Sequence, residues 1–141
     1  MNENQIAELI LDVAFDIHTE IGPGLLESVY EVLLANLLRE KGLHVERQVI
    51  IPLNFRGIRF EEAFRADLII NNLVLIEVKT VDGLSKAHKS QVLTYLKLTG
   101  LKLGLLINFN NHQLKGNFER IVNGLREDQP DQDKPQQDIY L

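Results

Sequence analysis

The stretch RADLIINNLVLIEVK, residues 65–79, decides the fold of this chain. Two apolar runs flank Asn71-Asn72, and charges sit at Asp67, Glu77 and Lys79. Short runs rich in branched residues, separated by asparagines, predict two antiparallel strands joined by a tight loop. Side chains alternate along a strand, so Glu77 and Lys79 share a face. The loop decides whether Asp67 joins them. A two-residue Asn71-Asn72 turn pairs Asp67 with Ile76 and sends Glu77 to the far face. A three-residue Asn71-Asn72-Leu73 loop pairs Asp67 with Glu77, and asparagine tolerates the left-handed backbone it needs. In that register Leu68, Ile70, Val74, Ile76 and Val78 form an apolar face to lie under a helix. The other face carries Asp67, Ile69, Leu75, Glu77 and Lys79.

Two adjacent carboxylates repel, and one takes up a proton unless a cation relieves the conflict. Oxygen-only ligands with retained waters suit Mg²⁺ or Mn²⁺. Such an ion polarises a phosphate and activates water. A neighbouring lysine stabilises the charge of the transition state or orients the water. The same letters also fit a strand with ordinary surface charges. Three features tilt the balance toward chemistry. The strands are unusually apolar around the charges. The next helix presents His88, Gln91 and Tyr95 on one face. Glu27 sits early in an upstream helix, where a carboxylate is stabilised as the anion.

Working outward, Ile6, Leu9, Ile10, Val13 and Ile17 recur at helical spacing, and Gly22-Pro23-Gly24 breaks that helix. A second helix is expected over roughly Leu26 to Lys41, with the stripe Leu26, Val29, Tyr30, Leu33 and Leu37, ended by Gly42. His44 to Ile51 predicts a strand with Val45, Val49 and Ile51 on one side. Leu53 to Glu62 predicts a hairpin turning at Arg56-Gly57. Leu84 to Thr99 predicts a helix closed by Gly100, and Leu101 to Asn108 a buried interior strand. Residues 116–122 fit either a strand or a short helix. This order implies a mixed sheet covered by helices.

The length of 141 residues suits one domain, expected over 1–125, followed by a polar acidic tail over 126–141 expected to be mobile. The net charge is -5, and the tail carries -3 of it. The remainder is nearly neutral, so nucleic-acid binding cannot rest on a strongly basic surface. With no cysteine, disulfides and zinc–thiolate sites are excluded. No apolar run reaches a membrane span, and the N-terminus is acidic and amphipathic rather than signal-like, so a cytoplasmic protein without membrane association is expected.

With these motifs in hand, the sequence resembles the GxxExxY family, small PD-(D/E)XK nuclease-like proteins, over roughly residues 5–125. The naming motif stands at Gly24, Glu27 and Tyr30, preceded by His18-Thr19-Glu20-Ile21-Gly22-Pro23-Gly24-Leu25. The sheet motif stands at Arg65-Ala66-Asp67-Leu68 and Leu75-Ile76-Glu77-Val78-Lys79. Gln91 and Tyr95 fit the Gln-x-x-x-Tyr element of exonuclease branches, and Gly104-Leu105-Leu106-Ile107-Asn108-Phe109 is also family-like. The usual proline before the aspartate is Ala66 here, a change many branches share. The resemblance implies a restriction-endonuclease-like α/β core, αβββαβ, with an extra N-terminal helix. It implies Asp67, Glu77, the Val78 carbonyl and Glu27 as metal ligands for Mg²⁺ or Mn²⁺. Lys79 would be the catalytic lysine, and Gln91 would orient it or the substrate.

The remaining aromatic and imidazole groups have two readings each. Tyr30 and Tyr95 either stack on a base or fill helical stripes of the core. His18 is expected to cap or pack. His88 is open between packing and phosphate contact. The function expected is a metal-dependent nuclease acting on DNA or RNA. A catalytically silent module that binds nucleic acid or protein is the alternative; an enzyme on a smaller phosphate ester, such as a nucleotide, suits the modest charge but lacks a Gly-rich phosphate loop. Local basic clusters, Lys86, Lys89 and Lys97 on one helix and Arg56 and Arg59 in the hairpin, are the candidate polyanion contacts. The apolar hairpin or the tail is the candidate surface for a homodimer.

Overall fold

The computed structural model describes residues 1–125; the tail expected from residue 126 lies outside them. Helix α1 (Glu3–Ile21) starts at a capping box, in which Asn2 and Gln5 each accept the other's backbone N–H. Its buried stripe is Ile6, Ile10, Val13, Ala14 and Ile17, and Gly22 ends it at a φ of 79°. Helix α2 (Glu27–Glu40) follows, then strands β1 (Val45–Phe55), β2 (Ile58–Ile70) and β3 (Val74–Lys79). Helix α3 (Lys86–Thr99) crosses back to β4 (Leu103–Asn108), and β5 (Phe118–Val122) closes the sheet.

The five strands lie in the order β1-β2-β3-β4-β5. Strands β3 and β4 are parallel, with α3 as the crossover such a pair needs, and the other neighbours are antiparallel. Residues 116–122 thus resolve as a loop end and an edge strand. The fold is the mixed α/β sheet flanked by helices expected of a PD-(D/E)XK core.

Two apolar layers hold it together. On one side α1 and α2 cover Leu68, Ile70, Val74, Ile76 and Val78, the face expected to be greasy. On the other side Val92 and Leu96 of α3 cover Ile69, Leu75, Leu106 and Ile121. This second contact is tight at Gly104, where an added Cβ would lie 2.7 Å from Val92 Cγ1.

Three sequence expectations need correction. The buried face of α2 is Tyr30, Glu31, Leu34, Ala35 and Leu38, while Leu26 and Val29 are exposed. Four leucines in two adjacent pairs make α2 apolar over a wide arc, so periodicity does not fix which edge faces the sheet. Val45 also does not share a layer with Val49 and Ile51: it packs under α1 and α2, they pack by α3. The left-handed backbone at Gln48, φ 51°, interrupts the alternation between them. Finally, α3 begins at Lys86, because Ser85 is its N-cap.

Candidate metal centre at the parting of two strands

The loop after Ile70 is the three-residue one. Ile70 pairs with Val74, Ile69 with Leu75 and Leu68 with Ile76. Asn71 and Asn72 take the left-handed conformation at φ 52° and 55°, and Leu73 N–H donates to the Ile70 carbonyl at 2.9 Å. Continuing that register puts Asp67 opposite Glu77, where the backbone ladder stops. Instead, Asp67 N–H donates to Glu77 Oε2 at 2.9 Å, and Val78 N–H donates to Asp67 Oδ2 at 2.9 Å. Side-chain oxygens have replaced backbone acceptors, so the strands part around two carboxylates.

Burial dominates their electrostatics. Glu77 is 5% exposed, and its carboxyl is pushed up to about 8, first by desolvation and then by the negative charge of Asp67. The Asp67 N–H and the Lys79 ammonium act against this rise. Asp67 is half-buried and rises to about 6, again mainly by desolvation, with Glu31 and Glu27 adding like charge. Two carboxylates that resist ionisation side by side are matched to a cation that would supply the missing positive charge.

Lys79 and Gln91 meet at the rim, with Nζ donating to Oε1 at 3.5 Å. Tyr95 lies one turn beyond Gln91 and stacks on Phe64, ring centroids 3.6 Å apart. Its phenol is raised by burial and by the charges of Glu77 and Asp67, while the hydrogen bond with Gln91 works the other way. Asp67, Glu77, Lys79, Gln91 and Tyr95 therefore share one electrostatic neighbourhood.

Glu27 stands apart from the expected ligand set. Its Oε2 accepts from Thr80 N–H at 3.2 Å, so it holds the chain just after Lys79. It acts on Asp67 and Glu77 through its charge. Among the described residues no three His, Cys, Asp or Glu side chains gather to hold one ion. An ion here would have the two carboxylates, with main-chain oxygen such as the Val78 carbonyl and water completing the shell. That donor set still fits a hard divalent cation.

Of its two readings, Tyr30 takes that of a core residue and not that of a substrate contact. It is fully buried and stacks on Phe109 with centroids 4.5 Å apart. Its hydroxyl donates to the Gly22 carbonyl at 2.6 Å and accepts from Leu25 N–H at 3.2 Å. The motif tyrosine thus ties down the loop that delivers Glu27. His88 completes the cap of α3: its Nδ1 accepts from Ser85 N–H at 3.0 Å, which leaves Nε2 as the donor nitrogen of the neutral ring. His18 packs, as expected, with Nε2 2.7 Å from the Asn111 carbonyl.

Sequence reasoning missed a supporting network. Glu31 is 4% exposed, forms an ion pair with Arg47 at 2.9 Å and accepts from Gln48 Nε2 at 2.9 Å. The same Gln48 nitrogen reaches Asp67 Oδ1 at 3.3 Å. The available signal was Glu31 following Glu27 by one helical turn. Asn108 was also missed as a site residue. It is fully buried, and its amide clamps both the N–H and the carbonyl of Val81. The basic clusters are partly neutralised. Lys89 pairs with Glu119 and Arg59 with Glu61, both at 2.9 Å, and Arg56 lies 5.1 Å over the Phe55 ring.

Comparison with known proteins agrees with this fold. The family model of the PD-(D/E)XK nuclease superfamily matches residues 4–121. A crystal structure of a protein designated SSO0001 is similar at a TM-score of 0.54 and 26% identity, over 70% of this chain and 50% of that one. The chain therefore spans about half the length of that relative. The comparison with curated proteins returned no match. No helix among the described residues is long and apolar enough to cross a membrane. With the family model covering most of its length, the chain belongs to the PD-(D/E)XK nuclease superfamily.

Proposed function

We propose that the protein is a divalent-metal-dependent nuclease of the GxxExxY group, hydrolysing phosphodiester bonds of DNA or RNA. The observation that carries this is the Asp67–Glu77 pair at the parted strands. Two carboxylates held together against their own charge, beside a lysine, make a poor structural element and a good cation site. Asp67 and Glu77 would hold Mg²⁺ or Mn²⁺, with the Val78 carbonyl as a further oxygen. When bound, the ion polarises a phosphate and acidifies a coordinated water.

The chain's own groups do the rest. Gln91 keeps the Lys79 ammonium beside the carboxylates, where it stabilises charge growing on the phosphate oxygens. Glu27 and Asn108 fix the backbone just after Lys79, at Thr80 and Val81. Glu31 and Gln48 fix Asp67. Tyr95 and His88 line the same helix as Gln91 and are the candidate substrate contacts. The test is hydrolysis of plasmid, single-stranded DNA and RNA with Mg²⁺ or Mn²⁺, wild type against Lys79→Ala. Wild-type cleavage that Lys79→Ala reduces by about 10²-fold or more supports the proposal. The same absence of cleavage for both proteins on every substrate rejects it in favour of a silent binding module.

A further inference from the structure

His18, a residue of the motif region, takes no part in the metal centre. It acts on the segment that follows β4. Its Nε2 donates to the Asn111 carbonyl at 2.7 Å, while Phe109 and Leu114 of the same segment are buried in the core. Asn117 N–H donates to the Leu114 carbonyl, and the Asn117 side chain donates to the Gln113 carbonyl, both at 2.8 Å. The backbone of this loop is thus held at several points. The Asn117 side chain is used in holding it, whereas the hydrogen bonds of Asn110, Asn111 and Gln113 run through their backbones. These three residues line an open cavity of about 420 Å³ together with Asp82 and Lys115.

We infer that this cavity is a base-reading subsite for an unpaired nucleotide next to the cleaved phosphodiester, an inference that rests on the nuclease reading above. Its position fits. It lies at the carboxyl end of the parallel strands β3 and β4, where open α/β sheets place their ligands. Asp82 follows Lys79 in the loop that leaves β3, and Asn108 is the register partner of Lys79. Its chemistry fits as well. Carboxamides offer a donor and an acceptor side by side, which matches the edge of a base. Asp82 accepts from an exocyclic amino group, and Lys115 reaches a flanking phosphate. A preference for an unpaired base follows, because paired bases hide these edges from a cavity. Holding the loop by His18 and buried residues prepays the ordering cost of recognition.

The experiment titrates ¹⁵N-labelled full-length protein, in EDTA, with the four nucleoside 5′-monophosphates and with inorganic phosphate. The expected result is saturable movement of the Asn110, Asn111 and Gln113 side-chain amide signals, with affinity that differs among bases. Asn111→Ala with Gln113→Ala weakens the preferred nucleotide by about five-fold or more, as the loss of a paired base edge does. Gln113→Glu, which keeps the shape, changes which base is preferred. The inference is overturned by no saturable response, by movement confined to Glu77 and Lys79, or by an equal response to inorganic phosphate. Since no metal is present, the titration reads the cavity independently of hydrolysis. Lys79→Ala, which removes hydrolysis, leaves these shifts unchanged.

Discussion

Replacing Glu77 by glutamine removes a charge that the metal-free protein is poorly built to carry. The Glu77 carboxyl rises from its ordinary 4.5 to about 8 on folding. The folded chain keeps this proton over a range where the unfolded chain has released it. Stability therefore falls as pH rises from about 4.5 to about 8. Each tenfold in proton affinity is about 1.4 kcal/mol, which bounds the whole effect at about 5 kcal/mol. The Asp67 carboxyl, at about 6, accounts for part of any change at lower pH. Between pH 6.5 and pH 9 Asp67 is largely ionised, and Glu77 alone accounts for a loss of about 2 kcal/mol. Glutamine retains an oxygen for the Asp67 N–H and carries no charge, so Glu77→Gln should be flat over that window. Urea unfolding in EDTA at several pH values measures both slopes. Parallel slopes, or wild-type stability that rises with pH, would refute the reasoning. Adding Mn²⁺ should reverse the wild-type trend, because binding displaces protons.

Other consequences test separate parts of the structure. Gln91→Ala releases the Lys79 ammonium and should lower kcat several-fold with little change in unfolding midpoint; steady-state kinetics beside a melting curve separate the two. Gly104→Ala pushes a methyl into the β-branched side chain of Val92 and should cost about 1–3 kcal/mol in denaturant unfolding. Unchanged stability there would mean that α3 moves aside freely. Tyr30→Phe leaves the Gly22 carbonyl and the Leu25 N–H without their partner, a loss of about 1–3 kcal/mol read in the same assay.

Much of the site was legible because one register controls it. The asparagines after Ile70 announced a left-handed loop, and an odd loop length brought Asp67 to Glu77. The layers under Leu68 and Ile76 followed from simple alternation. Alternation failed at Gln48, since a single left-handed residue re-aims a strand and a glutamine does not advertise it. Glu31 was hidden because a charged residue on a helix is ordinarily solvated, and its burial depends on Arg47 and Gln48 arriving from another element. The contact of Glu27 was equally hidden: sequence places it at a helix start, but the Thr80 N–H that donates to it lies across the fold. Tyr30 could be assigned to the core or to the site from its spacing, and only the stacking on Phe109 decides between them.

The central claim is that Asp67 and Glu77 hold one divalent cation between parted strands. Calorimetric titration with Mn²⁺ of wild type, Asp67→Ala and Glu77→Ala tests it most directly. The account predicts saturable binding by wild type that both variants lose, each variant still folding cooperatively. Binding that persists unchanged in either folded variant would contradict it and place the cation elsewhere.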